Sequence, residues 1–192
     1  MRIVVLVSGS GTNLQAVIDA VQAGTLDLEI AAVGSDIPGC GGVRRAQDAG
    51  IPTFEVPLVK GGDRAEWNRA LCAAVQVHAP DLVVSSGFMR ILGAEFLEGV
   101  AAPIINTHPA LLPSFPGAHA VRDALAHGVR ITGCTVHRVD AGVDTGPIIA
   151  QEAVPVLEAD DQDSLHVRIK VAERRLLVQT LRSIAAGGLS LG

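Results

Sequence analysis

Apolar positions along the first half of this chain keep two alternating rhythms. Residues 2–7, "RIVVLV", are an unbroken, mostly β-branched run, which predicts a strand covered on both faces. The turn "SGSGTN" follows, and "LQAVIDAVQAG" then sets Leu14, Val17, Ile18 and Val21 at helical spacing before stopping at Gly24. The same sequence of strand, turn and helix recurs. "LEIAAVG" predicts a second strand, "GVRRAQDAG" a helix closed by Gly50, and "PTFEVP" a third strand. "DRAEWNRALCAAVQVHAP" predicts a strong helix, opened by Asp63 with Glu66 in capping-box spacing and ended before Pro80. Two further strands come from "DLVVSSG" and "APIINTH".

Strands alternating with helices predict βαβ units and an α/β fold: Rossmann-like, with a mostly parallel central sheet and helices on both faces. After residue 108 the pattern changes. A loop with Pro109, Pro113 and Pro116 leads to the helix "AVRDALAHG", and "ITGCTVHRV" and "GPIIAQEAVPV" then read as paired strands around the turn "DAGVDTG". The last predicted element is a long helix with an apolar stripe of Leu165, Ile169, Ala172 and Leu176. At 192 residues the expectation is one domain, its residues 1–100 a nucleotide- or phosphate-binding half and 101–192 a catalytic half, which the resemblance described below makes folate-binding too.

Composition narrows the function. Hydrophobic residues make up 48% of the chain, yet no apolar run is long enough to cross a bilayer, and the start lacks the pattern of a signal peptide. The expected setting is cytoplasmic, without a membrane partner. A net charge of −5 with no Lys/Arg cluster, and 3% aromatics with no Tyr, argue against nucleic acid as a partner. Cys40, Cys72 and Cys134 are widely spaced and predict buried thiols rather than a disulfide or CxxC site.

Three stretches carry candidate chemistry. "SGSGTN", between the first strand and helix, offers unhindered backbone N–H groups at a helix N-terminus, which suits a phosphate. Leu14 stands where a dinucleotide fingerprint needs its third glycine, and no Walker lysine follows, so a monophosphate or other small anion is expected. "SSGFMRIL" follows the fourth strand at the carboxyl edge of the sheet, where a flat heterocycle can bind, although core packing is the better account of Ile91 and Leu92. In "INTHPALLPSFPG", Asn106 and His108 lie two apart on an extended segment and so face one way.

A carboxylate beside that imidazole favours its charged form, and "DAGVDTG" supplies Asp140 and Asp144. Spacing does not decide which of the two approaches His108. The same residue types also allow a metal centre of His108, His137 and an Asp. His78, His127 and His166 fall on predicted helices and are expected to face solvent, whereas His119 and His137 are better placed to support a site.

With "SGSGTN", "GFMRIL", "INTHPALLPSFPG" and "TGCTVHRVDAGVDTGPII" in this order, the chain resembles the folate-dependent formyltransferases along nearly its whole length, in their glycinamide ribonucleotide branch. The resemblance implies formyl transfer from 10-formyltetrahydrofolate, the co-substrate, to the amine of 5'-phosphoribosylglycinamide in purine synthesis, with no metal. It implies Asn106, His108 and Asp144 as the catalytic trio, and Gly11, Thr12, Asn13, Lys170 and Glu173 as ribonucleotide-binding residues. For the folate it implies Arg64, Met89, Arg90, Ile91, Leu92 and Asn106, with the turn of Asp140, Ala141, Gly142, Val143 and Asp144. Its expected partners are small molecules, with a homodimer allowed.

Two departures from the family pattern stand out. "GSDIPGCGG" carries Asp36 and extra glycines where relatives show Asn and a charged segment, and "AAGGLSLG" stops where many relatives continue into a further strand pair. Three rival readings remain. A formyltransferase acting on methionyl-tRNA is expected to be longer and more basic, and a formyltetrahydrofolate hydrolase to carry an extra N-terminal domain. A non-catalytic nucleotide-binding protein would leave the coincidence of Asn106, His108 and Asp144 unexplained.

Overall fold

The β-branched run after Met1 forms β1 (Arg2–Val7), buried throughout except at Arg2. The computed structural model describes residues 1–189 and 191. The chain divides into two compact units, Met1–Ile105 and Asn106–Gly192. Its strands form one seven-stranded α/β sheet in the order β3-β2-β1-β4-β5-β6-β7, mostly parallel.

In the first unit β1 pairs in parallel with β2 (Glu29–Ser35) on one side and β4 (Leu82–Ser85) on the other, and β2 pairs in parallel with the short β3 (Thr53–Glu55). The chain therefore leaves β1 in one direction for β2 and β3 and returns on the opposite side for β4. That reversal makes the carboxyl ends of β1 and β4 a topological switch point, where open α/β sheets bind ligands. The Ser8 amide donates to the Gly87 carbonyl at 3.0 Å, joining the two strand ends.

Around these strands lie α1 (Thr12–Gln22), α2 (Gly41–Asp48) and α3 (Arg64–Gln76). The Asp63 side chain accepts from the Ala65 and Glu66 amides, so the predicted start of α3 is in place through the Asp63 half of the expected capping box. A short α4 (Ala94–Leu97) was not expected. Its one buried turn, around Phe96, is too brief to leave a periodic signal.

β5 (Ile104–His108) carries the chain into the second unit. There α5 (Ala120–His127) ends on Gly128 in the left-handed conformation, and β6 (Ile131–Arg138) pairs antiparallel with β7 (Ile148–Pro155) as the alternation predicts. Their register slips between Val136 and His137, a bulge that re-aims the strand at its end. α6 (Gln162–Ala185) buries the predicted stripe of Leu165, Ile169, Ala172 and Leu176. A full capping box of Asp161 and Ser164 opens it.

The proline loop after β5 is held by side chains. Thr135 Oγ1 donates to the Ala110 carbonyl at 2.7 Å and accepts from the Leu112 amide at 3.0 Å, while Gln151 Nε2 donates to the Leu112 carbonyl at 2.8 Å. Among the described residues, no helix is long and apolar enough to cross a membrane. All three cysteines are buried and unpaired, as expected. Burial pushes the Cys134 thiol up to about 12, and the nearby Glu173 charge adds to the shift.

Candidate active site

Two polar constructions stand out, one in each unit, and they are built from different material. The first unit's is largely backbone. Gly11 sits at φ +70°, and a Cβ there would lie 2.4 Å from the Gly42 Cα, so no other residue fits. This close approach explains two glycines of "GSDIPGCGG", Gly41 and Gly42: the start of α2 packs directly on the turn after β1, a Cβ on Gly41 would lie 2.9 Å from the Ser10 Cα, and the Gly42 amide donates to the Gly9 carbonyl at 2.9 Å. The N-cap of α1 is Gly11, which has no side chain to bond the first amides, and such an N-terminus suits an anion. Arg45 adds positive charge beside it, donating to the Ser10 carbonyl and to Gln15 Oε1, each at 2.9 Å. Thr12 is half-buried, and Asn13 is buried with its amide donating to Ser86 Oγ at 3.0 Å.

The segment after β4 lies at the same strand ends. Met89 is 64% exposed and Ile91 62%, whereas Leu92 is buried. Core packing, which the sequence suggested for both Ile91 and Leu92, therefore holds for Leu92 alone. Arg64 stacks over the Trp67 ring at 4.9 Å and donates to the Ile91 carbonyl at 2.7 Å, which fixes the backbone of this segment. Arg90 Nε donates to Asp36 Oδ2 at 2.6 Å.

The second unit's construction is made of side chains. Asn106 and His108 share one face of β5, as their spacing predicts, and both reach Asp144. His108 Nδ1 lies 3.2 Å from Asp144 Oδ2, and Asn106 Nδ2 lies 3.5 Å from Asp144 Oδ1. His108 Nε2 faces the Phe115 carbonyl at 2.8 Å. A carboxylate and a carbonyl can only accept, so both contacts are hydrogen bonds when each ring nitrogen carries a proton. Asp144 is held at φ +55°, and its Oδ2 also accepts from the Gly117 amide at 2.8 Å.

His137, at the bulge of β6, completes the cluster. Its Nδ1 faces the Arg138 carbonyl at 2.8 Å and must donate to it. In the neutral ring Nε2 is then a lone pair, so the Asn106 atom 3.1 Å away is the amide nitrogen. A protonated His137 would instead turn Nε2 into a donor toward Asp144 Oδ1, 3.5 Å away. The Asp144 carboxyl is held below the usual carboxylate range, first by the hydrogen bond that His137 donates when its Nε2 is protonated, then by the Gly117 amide and the His108 charge, against its burial.

Asp140 takes no part in this cluster. It accepts from the Gly142 amide at 3.0 Å and from Thr145 Oγ1 at 2.7 Å, and so shapes its own turn. Ala141, Gly142 and Val143 are exposed on that turn. Lys170 is half-buried on α6, and Glu173, one helical turn along, is buried. The remaining histidines divide differently from the sequence expectation. His78 and His166 are half-buried rather than solvent-facing, His78 because it stacks on Phe54. His119 is exposed at the start of α5, and His127 is exposed as expected.

Comparison with known families gives the class of protein to which this fold belongs. The model of the family described as formyl transferase matches residues 1–181, and the chain belongs to this family. It is 52% identical over 190 residues to the phosphoribosylglycinamide formyltransferase of Mycobacterium tuberculosis, covering 99% of this chain and 87% of that protein. A solved structure, glycinamide ribonucleotide transformylase 1 from Symbiobacterium toebii, superposes with a TM-score of 0.95 at 43% identity, covering 100% of this chain and 91% of that one. The trifunctional purine biosynthetic protein adenosine-3 of Gallus gallus is 42% identical over 192 residues, which span 19% of its length.

Proposed function

We propose that this chain is a phosphoribosylglycinamide formyltransferase: a cytoplasmic enzyme of purine biosynthesis that moves a formyl group from 10-formyltetrahydrofolate to the amine of 5'-phosphoribosylglycinamide. The observation that carries the reading is the meeting of Asn106, His108 and His137 on the single carboxylate of Asp144. In this reading Gly11, Thr12 and Asn13 receive the phosphate, and Lys170 and Glu173 hold the rest of the ribonucleotide. Arg64, Met89, Arg90, Ile91 and Leu92 and the turn from Asp140 to Asp144 serve the folate. The exposed apolar side chains of Met89 and Ile91 fit a flat heterocycle.

The co-substrate supplies the formyl carbon. The ribonucleotide amine forms a bond to that carbon, the carbon's bond to the folate nitrogen breaks, and the proton lost by the amine ends on that nitrogen. The work of the protein lies at the formyl oxygen, which gains negative charge as the amine adds. Asn106 keeps one N–H on His137 and turns the second from Asp144 Oδ1, 3.5 Å away, to this oxygen. His108, charged and aligned by Asp144, turns its Nε2–H from the Phe115 carbonyl to the same oxygen, which is the stronger acceptor once it is charged. Because the exchange is favourable only when charge has developed, it stabilises the transition state more than the bound substrates.

The test is release of tetrahydrofolate from 10-formyltetrahydrofolate by the purified protein, with and without the ribonucleotide. Release that requires the ribonucleotide, with formylglycinamide ribonucleotide as product, is expected. Release without it would make the chain a hydrolase, and binding without release would make it a nucleotide-binding protein.

A further inference from the structure

The catalytic reading leaves one buried charge of the first unit without a task. Asp36 follows the last residue of β2, and its side chain has no exposed surface. Each carboxylate oxygen has a separate duty. Oδ1 accepts from Ser8 Oγ at 2.5 Å, and Ser8 Oγ in turn accepts from the Met89 amide at 2.8 Å. Oδ2 accepts from Arg90 Nε at 2.6 Å. Two neighbouring residues after β4 are thus held by one carboxylate, Met89 through its backbone and Arg90 through its side chain.

The geometry points to Asp36 as a positioning residue that presets the Met89–Arg90 segment for the folate; the assignment rests on the functional reading above. Backbone bonds hold Ser86 and Gly87 at one end and the Gly93 carbonyl at the other, but residues 88–92 between them lie outside any strand or helix. Side-chain clamps hold this stretch instead: Ser8 and Asp36 at Met89 and Arg90, Arg64 at the Ile91 carbonyl and Asn68 at the Gly93 amide. A fully buried carboxylate is costly to keep, and it is worth keeping where neutral groups fail. Ser8 Oγ–H and Arg90 Nε–H are both donors. A carboxylate accepts from both, whereas the isosteric amide of Asn has one acceptor and would face a donor with its NH2. The charge also sets the polarity of the relay, since a Ser8 hydrogen committed to Asp36 leaves the oxygen lone pair for the Met89 amide. Arg90, a third exposed, is thereby held with its charge neutralised from below while its outer edge remains open to solvent.

The test uses the full chain with Asp36→Asn and Ser8→Ala, measuring steady-state KM for both substrates, amide hydrogen exchange and melting temperature on the same preparations. Loss of one charge-assisted bond is worth about a ten-fold change. Asp36→Asn is expected to raise KM for 10-formyltetrahydrofolate about ten-fold and to speed exchange at the Met89 amide by a similar factor, with KM for the ribonucleotide and exchange along β1 unchanged. Ser8→Ala, which cuts the Met89 arm and spares Arg90, is expected to give the same exchange change with a smaller rise in folate KM. An unchanged folate KM, an equal rise in both KM values, or faster exchange spread through β1 would overturn the assignment. An unmodified chain that shows no ribonucleotide-dependent release would overturn the functional reading and the folate role with it, while Met89 exchange still decides whether the clamp exists.

Discussion

The turn after β1 and the cluster on β5 and β6 solve the placing of polar groups in opposite ways. The turn works with main-chain amides, so what matters is that nothing occupies the space beside them, and Gly11 lies against Gly42 with no room for a Cβ. The cluster works with side chains, so what matters is which atom faces which. Asn106, His108, His137 and Asp144 orient one another through defined donors and acceptors. The backbone-built region should therefore fail through stability and the side-chain-built region through turnover. Substitutions in the two can break or sharpen that contrast.

The largest effect is expected at Asn106. Asn106→Ala removes a donor aimed at developing charge and should lower kcat by roughly 10²- to 10³-fold, with both KM values near those of the parent. A loss that appears mainly in KM would place the residue in ground-state binding. Next comes Gly11→Ala, at φ +70° and against backbone rather than a mobile side chain. It should cost at least about 2 kcal/mol in urea unfolding before any effect on ligand is read.

A smaller effect concerns pH. The folded Asp144 carboxyl lies below its unfolded value, so its contribution to stability is complete above the unfolded value near about 4 and is lost as pH falls through the folded one. Asp144→Asn should accordingly lower stability at neutral pH and converge with the parent in acid, as urea titrations across that range would read. A constant gap would contradict the assigned hydrogen bonds. The smallest effect belongs to Asp140→Asn, which leaves the cluster untouched. It should change stability by at most about 1 kcal/mol through its exposed turn and leave the kcat of saturated enzyme near that of the parent.

Much of this contrast could be read from sequence, though unevenly. β1, α3 and α6 follow from strong periodicity and cap signals, and the common face of Asn106 and His108 follows from the period of a strand. The choice between Asp140 and Asp144 does not. Both sit in one glycine-flanked turn, and only the folded turn shows Asp144, in the left-handed conformation, beside His108 while Asp140 bonds Gly142 and Thr145. His137 is legible as a residue placed to support a site, but not which groups it meets. Its contacts with Asn106 and Asp144 come at a register slip between β6 and β7, a property of pairing that leaves no local mark. Asp36 stood out in the sequence as a departure, but its partners Ser8 and Arg90 are 28 and 54 residues away, beyond the reach of pattern.

The claim that Asn106 and His108 meet one developing charge is tested most directly by a double-mutant cycle in turnover. Asn106→Ala, His108→Ala and the double variant would be compared with the parent at saturating substrates, with melting temperatures taken on the same preparations. The account predicts that the double variant loses little more than the worse single variant, because either replacement alone already dismantles the pocket in which the other donor acts. Strictly additive losses, or losses that follow the melting temperatures, would contradict it.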